Sequence, residues 1–309
     1  MYTKYKIRFV GFFHVALFIL LVTSVGCGIT KSMVGAIKSE EPVIKKKIMV
    51  FPPINHSGLT QEKAARISTE LAEALKQSPH LLLCNPTEDF SLPSENDINQ
   101  YGVVYNRPDM TIRARAMNIN GLIAPYLPPI EQTSGRSGIW PFRHPTEIYK
   151  MSLVINVINP ENGCLYLTDL GSEEVAFQPD EIEDLNKQEI YDKVLEKALP
   201  GLLKRQAGAV IDRLVKNPWT GNIVEIDDGI IRINAGRDEG VVPDQIFSVY
   251  SQGESISSQS GRTFNLLGEK LGVIRAVTVN EQYTLAETVE GGPFYVGQKI
   301  VFNPEGKLP

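Results

Sequence analysis

Cysteine, histidine and tryptophan are all scarce, with three, four and two residues in a chain of 309. So few cysteines define no disulfide framework. The histidines, His14, His56, His80 and His144, stand alone. None forms an i, i+4 pair or has a cysteine at zinc-site spacing, so no metal or cofactor site is expected. Surplus positive charge is missing as well. Lys and Arg total 31 against 36 Asp and Glu, a formal charge of −5, whereas a nucleic-acid partner calls for a basic stripe. GPFYVGQK (residues 292–299) lacks phosphate-loop spacing, because Gln298 separates the glycine from the lysine. SGRSG around Ser137 lacks the second spacer of a nucleophile elbow. The pair Asp227-Asp228 fits a solvated turn better than acid–base machinery, which needs an enclosed site. NHSG (55–58) closes the first strand, where open α/β sheets often bind ligands. His56 and Ser57 are sequence neighbours, which rarely point at each other, so a turn or helix cap is expected there. No enzyme is expected.

Long hydrophobic runs are limited to one. After Lys4, Lys6 and Arg8, the segment Phe9–Val25 carries 17 residues without a formal charge. A basic start, an apolar middle and a small-residue end form an export signal, residues 1–26. At that length a retained membrane helix is the alternative, and an ordinary secreted protein a further one. Ser24-Val25-Gly26-Cys27 resembles the lipobox of bacterial lipoproteins. That resemblance implies cleavage after Gly26, a diacylglycerol thioether on Cys27 and an acylated new N-terminus, with palmitate as a typical chain. The partner at that end is then the lipid bilayer. Gly28 stands where an inner-membrane retention signal would have Asp, which by the same resemblance implies the outer membrane, facing the periplasm. Loss of residues 1–26 takes the formal charge from −5 to −8. In an oxidising compartment Cys84 and Cys164 are free to bridge; two separate buried thiols, one in each of two strands, are the other reading.

Residues 27–43 form a tether. The chain then reads as α+β or α/β: a mixed sheet with flanking helices over 44–217, followed by a small all-β barrel or sandwich over 218–309. IKKKIMVF (44–51) is a strand ended by Pro52-Pro53. Thr60 caps a helix over 61–77 with Ala64, Ile67, Leu71, Ala74 and Leu75 at helical spacing. LLLC (81–84) is a buried strand, which completes a βαβ unit with parallel strands. Residues 85–108 are a polar connection. A helix over 109–120 places Met110, Ala114 and Met117 on one face, with Gly121 as its stop. GLIAPYLPPIEQ starts another strand. Two long strands flank a hairpin turn at Asn159–Gly163. From Asp180 to Asn217 the period is helical, with a break or kink expected at Pro200-Gly201. Beyond Trp219 short strands alternate with glycine turns, and no helical period appears.

IMVFPPINHSG, the helix after it, the ARAMNINGLI helix-to-strand step and the hairpin carrying NPENG resemble a shared fold. Its members are the TolB N-terminal domain, the curli-secretion lipoprotein, the lipoprotein activators of penicillin-binding proteins and the middle domain of flagellar assembly protein T. The second domain, with Asn234-Ala235-Gly236, Gly240-Val241 and Phe247, resembles the C-terminal β-module of flagellar assembly protein T. The resemblance implies a non-catalytic structural or assembly factor for a periplasmic envelope machine, flagellar-ring-like or secretion-associated. Its implied partners are envelope proteins and identical subunits in a homo-oligomeric ring. Docking activation of a peptidoglycan synthase is the alternative, and a hydrolase the third. The insertion TSGRSGIWPFRHPTE (133–147) is too short and too proline-interrupted to span a membrane as a hairpin. Trp140 and Phe142 on its tip either fold back on the domain or form an interface or membrane-surface contact.

Overall fold

A computed structural model describes residues 43–302, apart from 87–89, 91–92, 105–107 and 258–262. The expected export signal, Cys27 and all but Val43 of the expected tether lie outside the described residues. From Ile44 onward the chain forms one compact unit.

The first element is β1 (Lys46–Val50), followed by the two-residue β2 (Ile54–Asn55). Helix α1 (Gln61–Lys76) begins at Thr60, whose side chain accepts from the Lys63 amide, and buries Ala64, Ile67, Leu71 and Leu75. β3 (Leu81–Cys84) returns parallel to β1, so the βαβ unit read from the sequence is present. The second helix, α2, runs from Pro108 to Ala116 and is shorter than its sequence pattern predicts. Met110 and Ala114 are buried, but Met117 lies past the helix end and is exposed. The stop is Asn118, at φ 57°, and not Gly121. Asn is the commonest non-glycine residue in that left-handed C-terminal position. Gly121 instead opens β4 (Gly121–Leu127), which runs parallel to β1.

A hairpin follows, made of β5 (Glu131–Ser137) and the 15-residue β6 (His144–Ile158). β7 (Leu165–Phe177) pairs antiparallel with β6 across the turn at Asn159–Gly163. The sheet order is β3-β1-β4-β6-β5, with β2 on β4 and β7 on β6. A single turn, α3 (Pro179–Ile182), leads to the long α4 (Lys187–Val215).

The sheet is covered on both faces. Ile48 and Val50 of β1 point to one face, where α1 and α4 contribute Ile67, Leu71, Val194, Leu202 and Val210. Met49 and Phe51 point to the other, where they meet Met110, Ala114, Ile119 and Phe90. This explains why Ile48–Phe51 and β4 read as apolar runs: neither face is solvated there. α4 continues through Pro200 without interruption. The proline is exposed, while Leu199, Leu202 and Leu203 beside it are buried. Packing of that stripe holds the helix across the one missing N–H.

The second domain is a closed barrel, which decides between barrel and sandwich. Its strands are β8 (Trp219–Asp227), β9 (Ile230–Ile233), β10 (Ile246–Ser257), β11 (Thr263–Val279), β12 (Thr284–Gly291) and β13 (Lys299–Phe302). They close in the order β10-β11-β12-β9-β8-β13, every pairing antiparallel. Trp219, Phe247, Ile274 and Ile300 fill the interior, and Ile44, two residues before β1, joins them. Cys84 and Cys164 are unbridged and half-buried; Cys84 is in β3, and Cys164 lies just ahead of β7, outside a strand.

Candidate functional site

The sequence singled out the segment between β5 and β6, and the structure shows why it stands out. β6 has β4 along its last five residues and β5 along its first seven. On its other edge β7 extends only as far as Glu147. Beyond that point the ladder is two-stranded, Gly135–Ser137 against His144–Thr146. Thr146 at the base is buried, so the exposed pairs Arg136–Pro145 and Ser137–His144 amount to ~7 Å of projecting ribbon.

Local chemistry shapes both ends of this ribbon. At its base Ser134 Oγ donates to Glu147 Oε1 at 2.8 Å and Gln132 Nε2 to Oε2 at 3.2 Å, while Lys150 pairs with Glu131 at 3.4 Å. At its tip the Phe142 amide donates to the Ile139 carbonyl at 2.7 Å. Gly138 sits at φ +107°, where a Cβ would meet the Phe142 oxygen at 2.6 Å, so only glycine suits the turn. Ile139, Trp140 and Phe142 are 85%, 79% and 76% exposed. They do not fold back on the domain. Arg136, Arg143 and His144 flank them, also exposed, and residues 133–146 contain no carboxylate. These three large apolar side chains are held in solvent on a narrow ribbon.

A second cluster, at the junction of the two domains, was not foreseen. Glu239 is buried in the 3₁₀ turn before β10. Lys47 Nζ reaches its Oε1 at 2.7 Å, and Asn118 Nδ2 donates to its Oε2 at 3.2 Å and to the Asn234 carbonyl at 3.1 Å. The Lys45 amide donates to the Glu239 carbonyl at 2.6 Å. Asn120 accepts from the Lys47 amide at 2.9 Å and donates to the Thr220 carbonyl at 2.8 Å. Lys46 Nζ donates to the carbonyls of Leu214 and Asn217 at the C-terminus of α4. Burial pushes the Glu239 carboxyl up to about 7, with Lys47 pulling the other way. Burial alone pushes the Lys46 ammonium down to about 7. A second strap joins Lys299 to Glu161 at 2.9 Å and the Asn265 amide to the Asn162 carbonyl at 3.2 Å. These groups hold the barrel to the α/β domain.

The NHSG turn follows its sequence reading. Ser57 Oγ donates to Asn55 Oδ1 at 2.7 Å and accepts from the Leu59 amide at 3.2 Å. His56 instead faces Tyr126, Nδ1 to hydroxyl 3.3 Å, and Glu95, Nε2 to Oε1 3.4 Å. Serine and histidine therefore serve different partners. Among the described residues, no group of three or more His, Cys, Asp or Glu could hold a metal ion. No described helix is long and apolar enough to cross a membrane.

No protein-family model matches the chain, and no curated protein does. Solved structures similar to it include the hypothetical protein CT253 from Chlamydia trachomatis, at 13% identity and TM-score 0.37, covering 56% of this chain and 99% of that one. Lipoprotein GNA1162 from Neisseria meningitidis is similar at 13% identity and TM-score 0.28, covering 56% of this chain and 99% of that one. TolB from Acinetobacter baumannii is similar at 11% identity and TM-score 0.25, covering 80% of this chain and 58% of TolB.

Proposed function

We propose that the chain is a bacterial envelope lipoprotein without catalytic activity, anchored in the outer membrane through acylated Cys27 and facing the periplasm. It serves there as a structural or assembly factor for an envelope machine. One observation carries this reading: a ribbon beyond the sheet holds Ile139, Trp140 and Phe142 in solvent, ready for contact. Two supports add to it. The lipobox-like Ser24–Cys27 provides the anchor. The buried Lys47–Glu239 pair and its asparagines join the two domains, as suits a rigid spacer. The flagellar-ring analogy of the barrel belongs to this proposal too, with self-association as its consequence.

The test is crosslinking in cells from a photoreactive residue at position 140, followed by identification of what is captured. The reading expects adducts that move with the envelope fraction and disappear in the Cys27→Ser variant. Adducts unchanged in that variant would count against it.

A further inference from the structure

We infer that the tip of the β5–β6 ribbon is a lipid-surface contact. Ile139, Trp140 and Phe142 enter the boundary between headgroups and acyl chains, and Arg136 and Arg143 meet anionic headgroups at the rim. This deepens the reading of the tip as a contact surface and rests on it. It does not depend on acylation of Cys27.

The composition of the ribbon points to lipid. Trp and Phe beside Arg is the pairing found where proteins lie in a bilayer interface, the rings at headgroup depth and the cations among phosphates. The local charge opposes that of the whole chain. Two arginines and a histidine stand within residues 133–146 without a carboxylate, in a chain of net charge −5. Neither arginine has an ion-pair partner among the described residues. Anionic lipid complements such a patch.

Geometry agrees with shallow insertion. Interfacial elements sink ~5–10 Å, and the ribbon projects by about that much. Its backbone groups pair across the hairpin, Gly135 with Thr146 and Ser137 with His144. Little unpaired backbone then enters the apolar layer.

The two tryptophans make the test direct, because Trp219 is 3% exposed inside the barrel and Trp140 is 79% exposed. The unacylated chain 28–309 keeps the whole compact unit. It would be mixed with phosphatidylethanolamine vesicles containing about one-third phosphatidylglycerol. The expected result is a blue shift of tryptophan emission with co-sedimentation. W140A/F142A should weaken binding about tenfold or more. R136Q/R143Q should weaken it and flatten its salt dependence. Both variants should keep the parent's melting temperature, since these side chains lie outside the core. No shift and no sedimentation would overturn the inference, and so would W140A/F142A binding as well as the parent. A tip that docks a protein instead would leave the vesicles untouched. Acylation of Cys27 is read separately, by fatty-acid labelling in cells, so either claim can fail alone.

Discussion

At the residue scale the most consequential group is Glu239, a carboxylate with 1% of its side chain exposed and Lys47 beside it. Its carboxyl titrates near 7 in the fold, against 4.5 for an ordinary glutamate. A raised carboxylate binds its proton more tightly when folded than when unfolded. Its contribution is therefore fully present below pH 4.5 and is lost as pH rises through 7. The full span is at most about 3 kcal/mol. Urea midpoints measured from pH 4.5 to 8 should fall more steeply in the parent than in Glu239→Gln. Equal slopes would show that the carboxyl titrates normally. Lys47→Met removes the partner cation, and the cost depends on whether Glu239 is charged. We expect the loss to be larger at pH 8 than at pH 5 by about 1 kcal/mol, because above pH 7 the carboxyl must either stay charged without its partner or take up a proton. Lys46 acts with the opposite sign: its lowered value gives stability above pH 10.5 that is lost as pH falls through 7.

None of this is legible in the residues around Glu239. Lys47 is far away in sequence, and no local period links the two. Asn118 was hidden for a related reason. Gly121 offered the usual helix stop, but the chain turns earlier because Asn118 tolerates positive φ and also reaches Glu239. Several features set by neighbours in the sequence are legible in it. Thr60 caps α1, its apolar residues recur at helical spacing, and Gly163 closes the β6–β7 hairpin at φ 71°. Trp140 and Phe142 were singled out by type alone. Their direction was not legible, because it depends on β7 ending opposite Glu147 and leaving the ribbon unsupported.

At the scale of elements, α4 and the β5–β6 ribbon make opposite predictions. Pro200 sits inside a 29-residue helix and gives no N–H to the Glu196 carbonyl. Its ring faces solvent, so Pro200→Ala restores that bond without disturbing the buried leucines. Stability should rise by about 1–3 kcal/mol, read as a higher urea midpoint. No gain would mean that α4 bends at Pro200 for a packing reason. The ribbon tip, by contrast, adds nothing to the core. Replacing residues 138–143 with a two-residue Asn-Gly turn should change stability by no more than about 0.5 kcal/mol while removing the contact surface. A large loss on thermal melting would mean that the tip packs on the domain after all.

At the scale of the whole molecule, the chain from Ile44 onward is one compact unit. The barrel and the sheet are joined through Asn118, Asn120, Lys47 and Glu239 on one side and through Glu161 and Lys299 on another. Self-association belongs at this scale, and native mass measurement of the acyl-free mature chain distinguishes a ring from a monomer. A ring-forming assembly factor gives a high-order oligomer, and a docking activator a single subunit.

The central claim is the anchor, and fatty-acid labelling tests it most directly. Cells expressing the parent or Cys27→Ser would be fed labelled palmitate, and both the label and the membrane-bound fraction measured. The account predicts a labelled, membrane-bound parent and an unlabelled variant that leaves the membrane or keeps its uncut signal. A variant labelled, trimmed and retained like its parent would contradict it.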